Sequence, residues 1–284
     1  MKRSYEKVTI LRTKQKTYDM TKETLVMGIL NATPDSFSDG GQYDEIDAAV
    51  QQAKQMQEDG AHIIDIGGES TRPGHEPVTE SEELRRVIPI IQALQKEVTI
   101  PISIDTYKAE VARQALEAGA SIINDVWGAK KDPQMAQVAA AYQAPIILMH
   151  NRKDRNYTNL IEDMKTDLKE SVELVMGAGV KEENILLDPG VGFAKTPDQN
   201  LFVMNHLREI TSLGYPVLLG TSRKSFIGQA LDLPVEERME GTGATVCYGI
   251  TQGIKLVRVH DVKSIARMTK MMDKMLEKGR SDDG

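Results

Sequence analysis

Polar residues recur at one kind of place in this 284-residue sequence, the end of a short apolar run. Asn31, Asp65, Asp105, Asn124, His150 and Asp188 each follow such a run, and Arg258 and His260 close the last one. The simplest explanation for Asp or Asn after a strand is a cap for the next helix. It can hold for Asp105, where a helix begins almost at once, although Thr106 offers a second cap. It fails for Asn31, which lies well before its helix. It also fails for Asn124 and Asp188, whose following helices have their own cap residues, Asp132 and Thr196. A convergent polar cluster is the better reading. Its cationic side has three sources. Gly220-Thr221-Ser222-Arg223-Lys224-Ser225 is a basic loop ending near a helix start, a setting suited to anions. Arg258 and His260 are two apart on one strand and share a face. Together with Arg72 they form a set able to clamp a diphosphate, although each alone reads as a surface charge. The loop is not a nucleotide-binding P-loop, because Leu218 and Arg223 stand where that motif needs glycine.

The elements that must carry these residues follow from the hydrophobic pattern. Apolar runs fall at Leu25–Leu30, His62–Ile66, Ile100–Ile104, Ser121–Ile123, Pro145–Met149, Asn184–Leu187, Pro216–Leu219 and Ile254–Val259. Between them lie segments of helical periodicity: Ile46–Glu58, Glu82–Lys96, Lys108–Ala118, Met135–Tyr142, Ile161–Met176, Gln199–Leu207, Val235–Tyr248 and Val262–Lys278. Asp132-Pro133 and Thr196-Pro197 each set a cap before a first-turn proline, and Gly60 and Gly119 stand where helices end. Eight such βα units favour a closed (β/α)₈ TIM barrel, an α/β fold, over an open doubly wound sheet. Residues 1–24 precede the barrel, with Val8–Leu11 and Thr17–Met20 reading as a hairpin across its N-terminal mouth. The barrel is expected over 25–279 and a polar tail over 280–284. Two long connections, Asn31–Tyr43 and Gly67–Thr79, lack apolar periodicity and read as binding loops.

Composition sets the limits. Apolar residues make up 40% of the chain and charged residues 27%, with a net charge of −7. That balance argues against a nucleic-acid or membrane partner and makes any anion site local. No apolar stretch is long enough to span a membrane and no leader is evident, so a cytoplasmic location is expected. The lone Cys247 excludes an internal disulfide and reads as a buried apolar thiol. No zinc motif or acyl-transfer elbow is present.

The strings Val26–Gly41 (VMGILNATPDSFSDGG) and Asp65–Gly74 (DIGGESTRPG) resemble the dihydropteroate synthase family of pterin-binding barrels. Ser103-Ile104-Asp105-Thr106, Ile123-Asn124-Asp125, Asp188–Phe193 (DPGVGF), Ser222–Phe226 (SRKSF) and Arg258–Asp261 (RVHD) continue it in the family's order, from 26 to 261. The resemblance implies an enzyme of folate synthesis. It would join 6-hydroxymethyl-7,8-dihydropterin diphosphate to p-aminobenzoate, giving dihydropteroate and pyrophosphate. It further implies that Asp105, Asn124, Met149, Asp188, Phe193, Gly220 and Lys224 hold the pterin. Asn31, Arg72, Arg258 and His260 would take the diphosphate, with Mg²⁺ ligated partly through Asn31. Thr71, Pro73, Phe193 and Ser225 would meet p-aminobenzoate, and Asp39, Arg72 and Lys224 would act at the reacting centre. Homodimers through the last helices are also implied, compatible with the Met-rich run Ile265–Leu276.

Three rivals are weighed against this. A methyltetrahydrofolate:corrinoid methyltransferase shares the barrel but needs neither Thr71-Arg72-Pro73 nor the Ser222–Ser225 loop. A Schiff-base aldolase would use Lys224 as nucleophile. A non-catalytic pterin-binding protein would release no pyrophosphate.

Overall fold

The computed structural model describes residues 8–32, 42–69 and 78–278. A short antiparallel hairpin, β1 (Ile10–Arg12) and β2 (Thr17–Asp19), precedes eight parallel strands. These are β3 (Leu25–Asn31), β4 (Ile63–Gly67), β5 (Ile102–Asp105), β6 (Ile122–Asp125), β7 (Ile146–Met149), β8 (Ile185–Asp188), β9 (Leu218–Leu219) and β10 (Leu256–Val259). They follow one another around a sheet in the order β8-β7-β6-β5-β4-β3-β10-β9. A parallel bridge between Leu187 and Val217 joins the two ends, and the Leu187 N–H donates to the Pro216 carbonyl at 2.9 Å. The expected TIM barrel is therefore what forms, with the N-terminal hairpin beside it.

Strand alternation divides the apolar residues into two sets. Val26, Leu30, Ile64, Ile66, Ile102, Ile104, Ile146 and Leu148 face outward and pack under the helices. Leu25, Met27, Ile63, Ile122, Ile147, Leu186, Leu218 and Leu256 face inward, and Leu11, Tyr18 and Met20 of the hairpin segment join them. The hairpin thus closes the N-terminal mouth, as expected. Each side chain it buries there adds about 1.5–3 kcal/mol.

The outer layer comprises α1 (Gln42–Glu58), α2 (Glu80–Glu97), α3 (Ala109–Ala118), α4 (Met135–Tyr142), α5 (Leu160–Gly177), α6 (Pro197–Asn205), α7 (Leu207–Thr211), α8 (Ser225–Leu231), α9 (Met239–Thr251) and α10 (Val262–Lys278). Thr196 starts α6 with the expected cap, as half of a capping box with Gln199. Asp132 does not cap α4: its Oδ1 accepts from the Gln134 N–H, while its Oδ2 accepts from Ala109 at the start of α3. One carboxylate here serves two segments, a long-range contact that local sequence does not encode. The expected helix Gln199–Leu207 is broken at His206 into α6 and α7. The expected Val235–Tyr248 helix begins later, at Met239. The helix start expected after the Gly220–Ser225 loop is that of α8, which periodicity did not trace because it is only seven residues long and carries Gly228 in its interior. Among the described residues, no helix is long and apolar enough to cross a membrane.

Candidate active site

One inward step toward the C-terminal ends, every strand from β4 to β10 except β7 places a polar residue or a glycine, and β7 places Met149. Ile63 gives way to Asp65, Ser103 to Asp105, Ile122 to Asn124, Ile147 to Met149, Leu186 to Asp188, Leu218 to Gly220 and Leu256 to Arg258. These positions lie toward the C-terminal ends of the strands, the face where barrel enzymes build their sites. Asp65, Asp105, Asn124 and Asp188 are all buried, none more than 6% exposed.

Two cations face this layer. The Arg258 guanidinium donates through Nε to Asp65 Oδ2 at 2.6 Å and through Nη2 to Asp105 Oδ2 at 2.7 Å. Asn124 donates to the same Asp65 oxygen at 3.1 Å. Asp105 Oδ1 is buried with no hydrogen-bond partner among the described residues, so it remains an acceptor for a ligand donor. Burial, opposed by Arg258 and reinforced by Asp65, pushes the Asp105 carboxyl above its ordinary range. Arg258 is held above its own ordinary value: burial works against its charge, but Asp65 and Asp105 outweigh it.

On the far side, Asp188 Oδ1 accepts from the Gly190 N–H at 2.7 Å. Burial raises the Asp188 carboxyl, while Lys224 and the Gly190 amide pull it down. Lys224 donates from Nζ to the Val191 carbonyl and stands 4.7 Å from the Phe193 ring centroid. Burial pushes its ammonium down to about 8, against the attraction of Asp188. Gly220 keeps the space among these groups open. A β-carbon there would point between Asp188 Oδ2, Arg258 and Lys224, each within about 4 Å of it.

The loop from β9 to α8 is tied to the end of β10. Ser222 Oγ lies 2.9 Å from His260 Nδ1 and accepts from the His260 N–H at 3.1 Å. Arg223 grips Asp261 with two hydrogen bonds, of 2.9 and 2.6 Å. Ser225 is exposed at the start of α8, and Asn31 is exposed at the end of β3. The inward layer thus brings together Asp105, Asn124, Met149, Asp188, Gly220 and Arg258, with Lys224 beside Asp188 and Phe193 beside Lys224. Asp39, Thr71, Arg72 and Pro73 lie outside the described residues.

His150 does not join this cluster. Met149 takes the inward position on β7, so His150 faces outward, where its Nε2 lies 3.0 Å from Asp167 Oδ2 on α5. Its Nδ1 lies 3.0 Å from Lys195 Nζ. Lys195 was not singled out by sequence, because a lysine between Ala194 and Thr196 in a polar loop carries no signal of burial. Glu83 and Lys108 were missed as well: Lys108 is paired with both Glu69 and Glu83 at the root of the second long connection. Cys247 is half-buried rather than buried, and burial raises its thiol.

Comparison with known proteins agrees with this fold. A family profile described as "Pterin binding enzyme" matches residues 27–260. The chain is 64% identical over 274 residues to a dihydropteroate synthase of Bacillus subtilis, covering 96% of each chain. Its fold superposes with a TM-score of 0.89 on a Clostridium difficile dihydropteroate synthase crystallised in the presence of pteroic acid. That pair is 53% identical, over 91% of this chain and 98% of the other. A Xanthomonas albilineans dihydropteroate synthase with 4-aminobenzoic acid is 37% identical, with a TM-score of 0.88 over 96% of this chain and 98% of that one. The chain belongs to the dihydropteroate synthase family of pterin-binding enzymes.

Proposed function

We infer that this chain condenses 6-hydroxymethyl-7,8-dihydropterin diphosphate with p-aminobenzoate to give 7,8-dihydropteroate and pyrophosphate. The observation that carries the reading is the buried carboxylate layer closed by Lys224, in a chain of this family. A pterin edge presents adjacent N–H donors, which a carboxylate accepts in pairs. Asp188 fits that role, with Asp105 Oδ1 and Asn124 beside it and Lys224 aimed at a ring carbonyl or nitrogen. Met149 and Phe193 supply apolar surface for the ring.

In the reaction the bond from the pterin methylene to the diphosphate oxygen breaks, and the leaving group keeps the electron pair. The methylene carries the resulting positive charge, delocalised into the ring and stabilised by the nearby carboxylates. The neutral arylamine nitrogen then bonds to that carbon and sheds one proton, so no strong general base is required. Arg258 and His260, with Arg72, supply the positive field for the departing anion. Asp39 and the first long connection would exclude water from the reacting centre. Ser225, with Thr71, Pro73 and Phe193, would meet p-aminobenzoate.

For the metal, the amide oxygen of Asn31 is a hard, neutral donor at the mouth. Among the described residues, no group of three or more His, Cys, Asp or Glu side chains is placed to hold a metal ion. Such a set fits Mg²⁺ held by one protein oxygen, with diphosphate and water oxygens completing its shell. When bound, the ion would neutralise charge on the leaving group. A homodimer through α10 is supported by the exposure of Met271, Met275 and Leu276.

The test is pyrophosphate release, assayed with and without p-aminobenzoate and Mg²⁺. Release that requires both supports the reading. Release independent of p-aminobenzoate, or none, overturns it.

A further inference from the structure

The turn between β8 and α6 is gripped by two lysines. From the β9–α8 side, Lys224 donates to the Val191 carbonyl and faces the Phe193 ring. Lys195, within this connection just before α6, folds back to donate to the Gly190 carbonyl at 2.9 Å and to the Phe193 carbonyl at 3.1 Å. Its third contact is His150 Nδ1, at 3.0 Å. Lys195 is 4% exposed, so these three groups are its surroundings rather than water.

With Lys195 protonated, the proton inventory at this site closes in one way. A lysine ammonium has three donors and no acceptor, and it meets two carbonyl oxygens and a ring nitrogen. His150 Nδ1 must therefore be the unprotonated nitrogen, which places its proton on Nε2, facing Asp167 Oδ2. The carboxylate is well suited to receive it. Burial works against its charge, but hydrogen bonds from His150 and Arg152 hold Asp167 below its ordinary range. The reverse arrangement would put a bare ring nitrogen against a carboxylate. Burial pushes His150 down to about 4, consistent with a neutral ring. Burial also pushes Lys195 down, to about 7. A buried ammonium is a poor stabiliser compared with an apolar side chain of the same shape. What it supplies here is a fixed geometry.

That geometry leads to the pterin layer in two steps. Gly190 gives its carbonyl to Lys195 and its N–H to Asp188 Oδ1. Its φ of +63° is one that glycine adopts freely, and a β-carbon there would lie 1.9 Å from the His150 carbonyl oxygen. The peptide is therefore pinned between β7 and Asp188. At the other end of the turn, the Phe193 N–H donates to the Gly190 carbonyl at 3.0 Å, and Tyr157 Oη donates to the Ala194 carbonyl at 2.9 Å.

We propose that Lys195 is a positioning residue for pterin recognition: oriented by His150 and Asp167, its ammonium clamps the Gly190–Phe193 turn and so fixes the Asp188 carboxylate and the Phe193 ring. The proposal rests on the reading of Asp188 and Phe193 as pterin contacts. It adds an outward-facing Asp167–His150–Lys195 chain to a site otherwise built from inward-facing residues.

The experiment is calorimetric titration of dihydropterin diphosphate into the full chain without p-aminobenzoate, alongside steady-state kinetics and thermal unfolding. Lys195→Met keeps the length of the side chain and removes the ammonium. The expected result is an affinity loss of about tenfold, with kcat at saturating substrates reduced less than about threefold, because Lys195 does not touch the reacting atoms. Should that variant not fold, Asp167→Asn leaves the ammonium in place and gives the same readout at about threefold. Wild-type affinity in the folded variant, with only a lower Tm, would show a purely structural role and overturn the proposal. Asp188→Asn runs in parallel. If it binds the pterin as tightly as wild type, the underlying reading of Asp188 has failed; if it loses binding while Lys195→Met does not, only the Lys195 proposal has.

Discussion

The barrel interior has two layers a single strand step apart, and they are built on opposite principles. The lower layer is Leu25, Met27, Ile63, Ile122, Ile147, Leu186, Leu218 and Leu256, sealed by Leu11, Tyr18 and Met20. It is apolar and needs no partner to be stable. The upper layer holds Asp65, Asp105, Asn124 and Asp188 at comparably buried positions, with the partly buried Arg258 among them. Each charge there is tolerable only because another answers it. The same strand alternation aims both sets inward, so the backbone does not distinguish them. The lower layer contributes stability, and the upper draws on it to hold charge where a ligand can reach it.

Four changes would break or sharpen this contrast. The largest effect is expected from Arg258→Met, which leaves Asp65 and Asp105 buried together without their cation. Denaturant unfolding should show a loss of about 3–5 kcal/mol, typical of breaking a buried pair from one side. With Arg258 gone, the Asp105 carboxyl, already raised by burial, should favour its protonated form further. Carboxyls raised above their unfolded values contribute stability at low pH and lose it as pH rises through the folded value, so the deficit should be smaller at pH 5 than at pH 8. Asp188→Ala comes next: pterin diphosphate affinity should fall about a hundredfold in a titration, with a smaller proportional loss of stability, because the Gly190 N–H loses its acceptor and Lys224 its counter-charge while a buried carboxyl is removed. Equal losses of affinity and stability would erase the distinction between the layers. Met20→Ala is the converse, expected to lower stability by about 2 kcal/mol with kcat/KM of the folded enzyme unchanged. The smallest effect is titration of Lys224, whose ammonium sits at about 8. The kcat/KM for the pterin diphosphate should fall above pH 8, by about tenfold per unit. Because this folded value is depressed, the unfolded chain binds more protons between 8 and its ordinary 10.5, and the stability contribution of Lys224 rises over that window. Binding and stability should thus move in opposite directions with pH. A profile flat to pH 10 would refute the assignment.

Much of this was legible in the sequence, for reasons that differ by element. The eight strands were readable because parallel strands covered on both faces appear as unbroken apolar runs. The inward polar step was readable at Asp105, Asn124 and Asp188 because helix capping could not account for all of them. Facing was not readable at strand ends: one residue of parity sends Met149 inward and His150 outward, and the sequence has no marker for where β7 stops. Asp132 looked like a local cap and instead bridges two segments, as only tertiary contact can decide. Lys195 was invisible for the same reason. Its neighbours in space, His150 and Gly190, lie 45 and five residues away.

The hairpin beneath the barrel has a consequence for traffic. With Leu11, Tyr18 and Met20 filling the lower end, any molecule lodged among the strands arrives and departs through one doorway. Asp105, Asn124 and Asp188 lie inside that doorway, while Ser225 stands exposed at its edge. On the proposed function, with the pterin at the deep residues and p-aminobenzoate at the edge, the deeper guest would enter first and find its passage shut once the shallower one is seated. On the same reading the joined product would reach both depths, compete with the pterin for entry, and leave the way its parts came in.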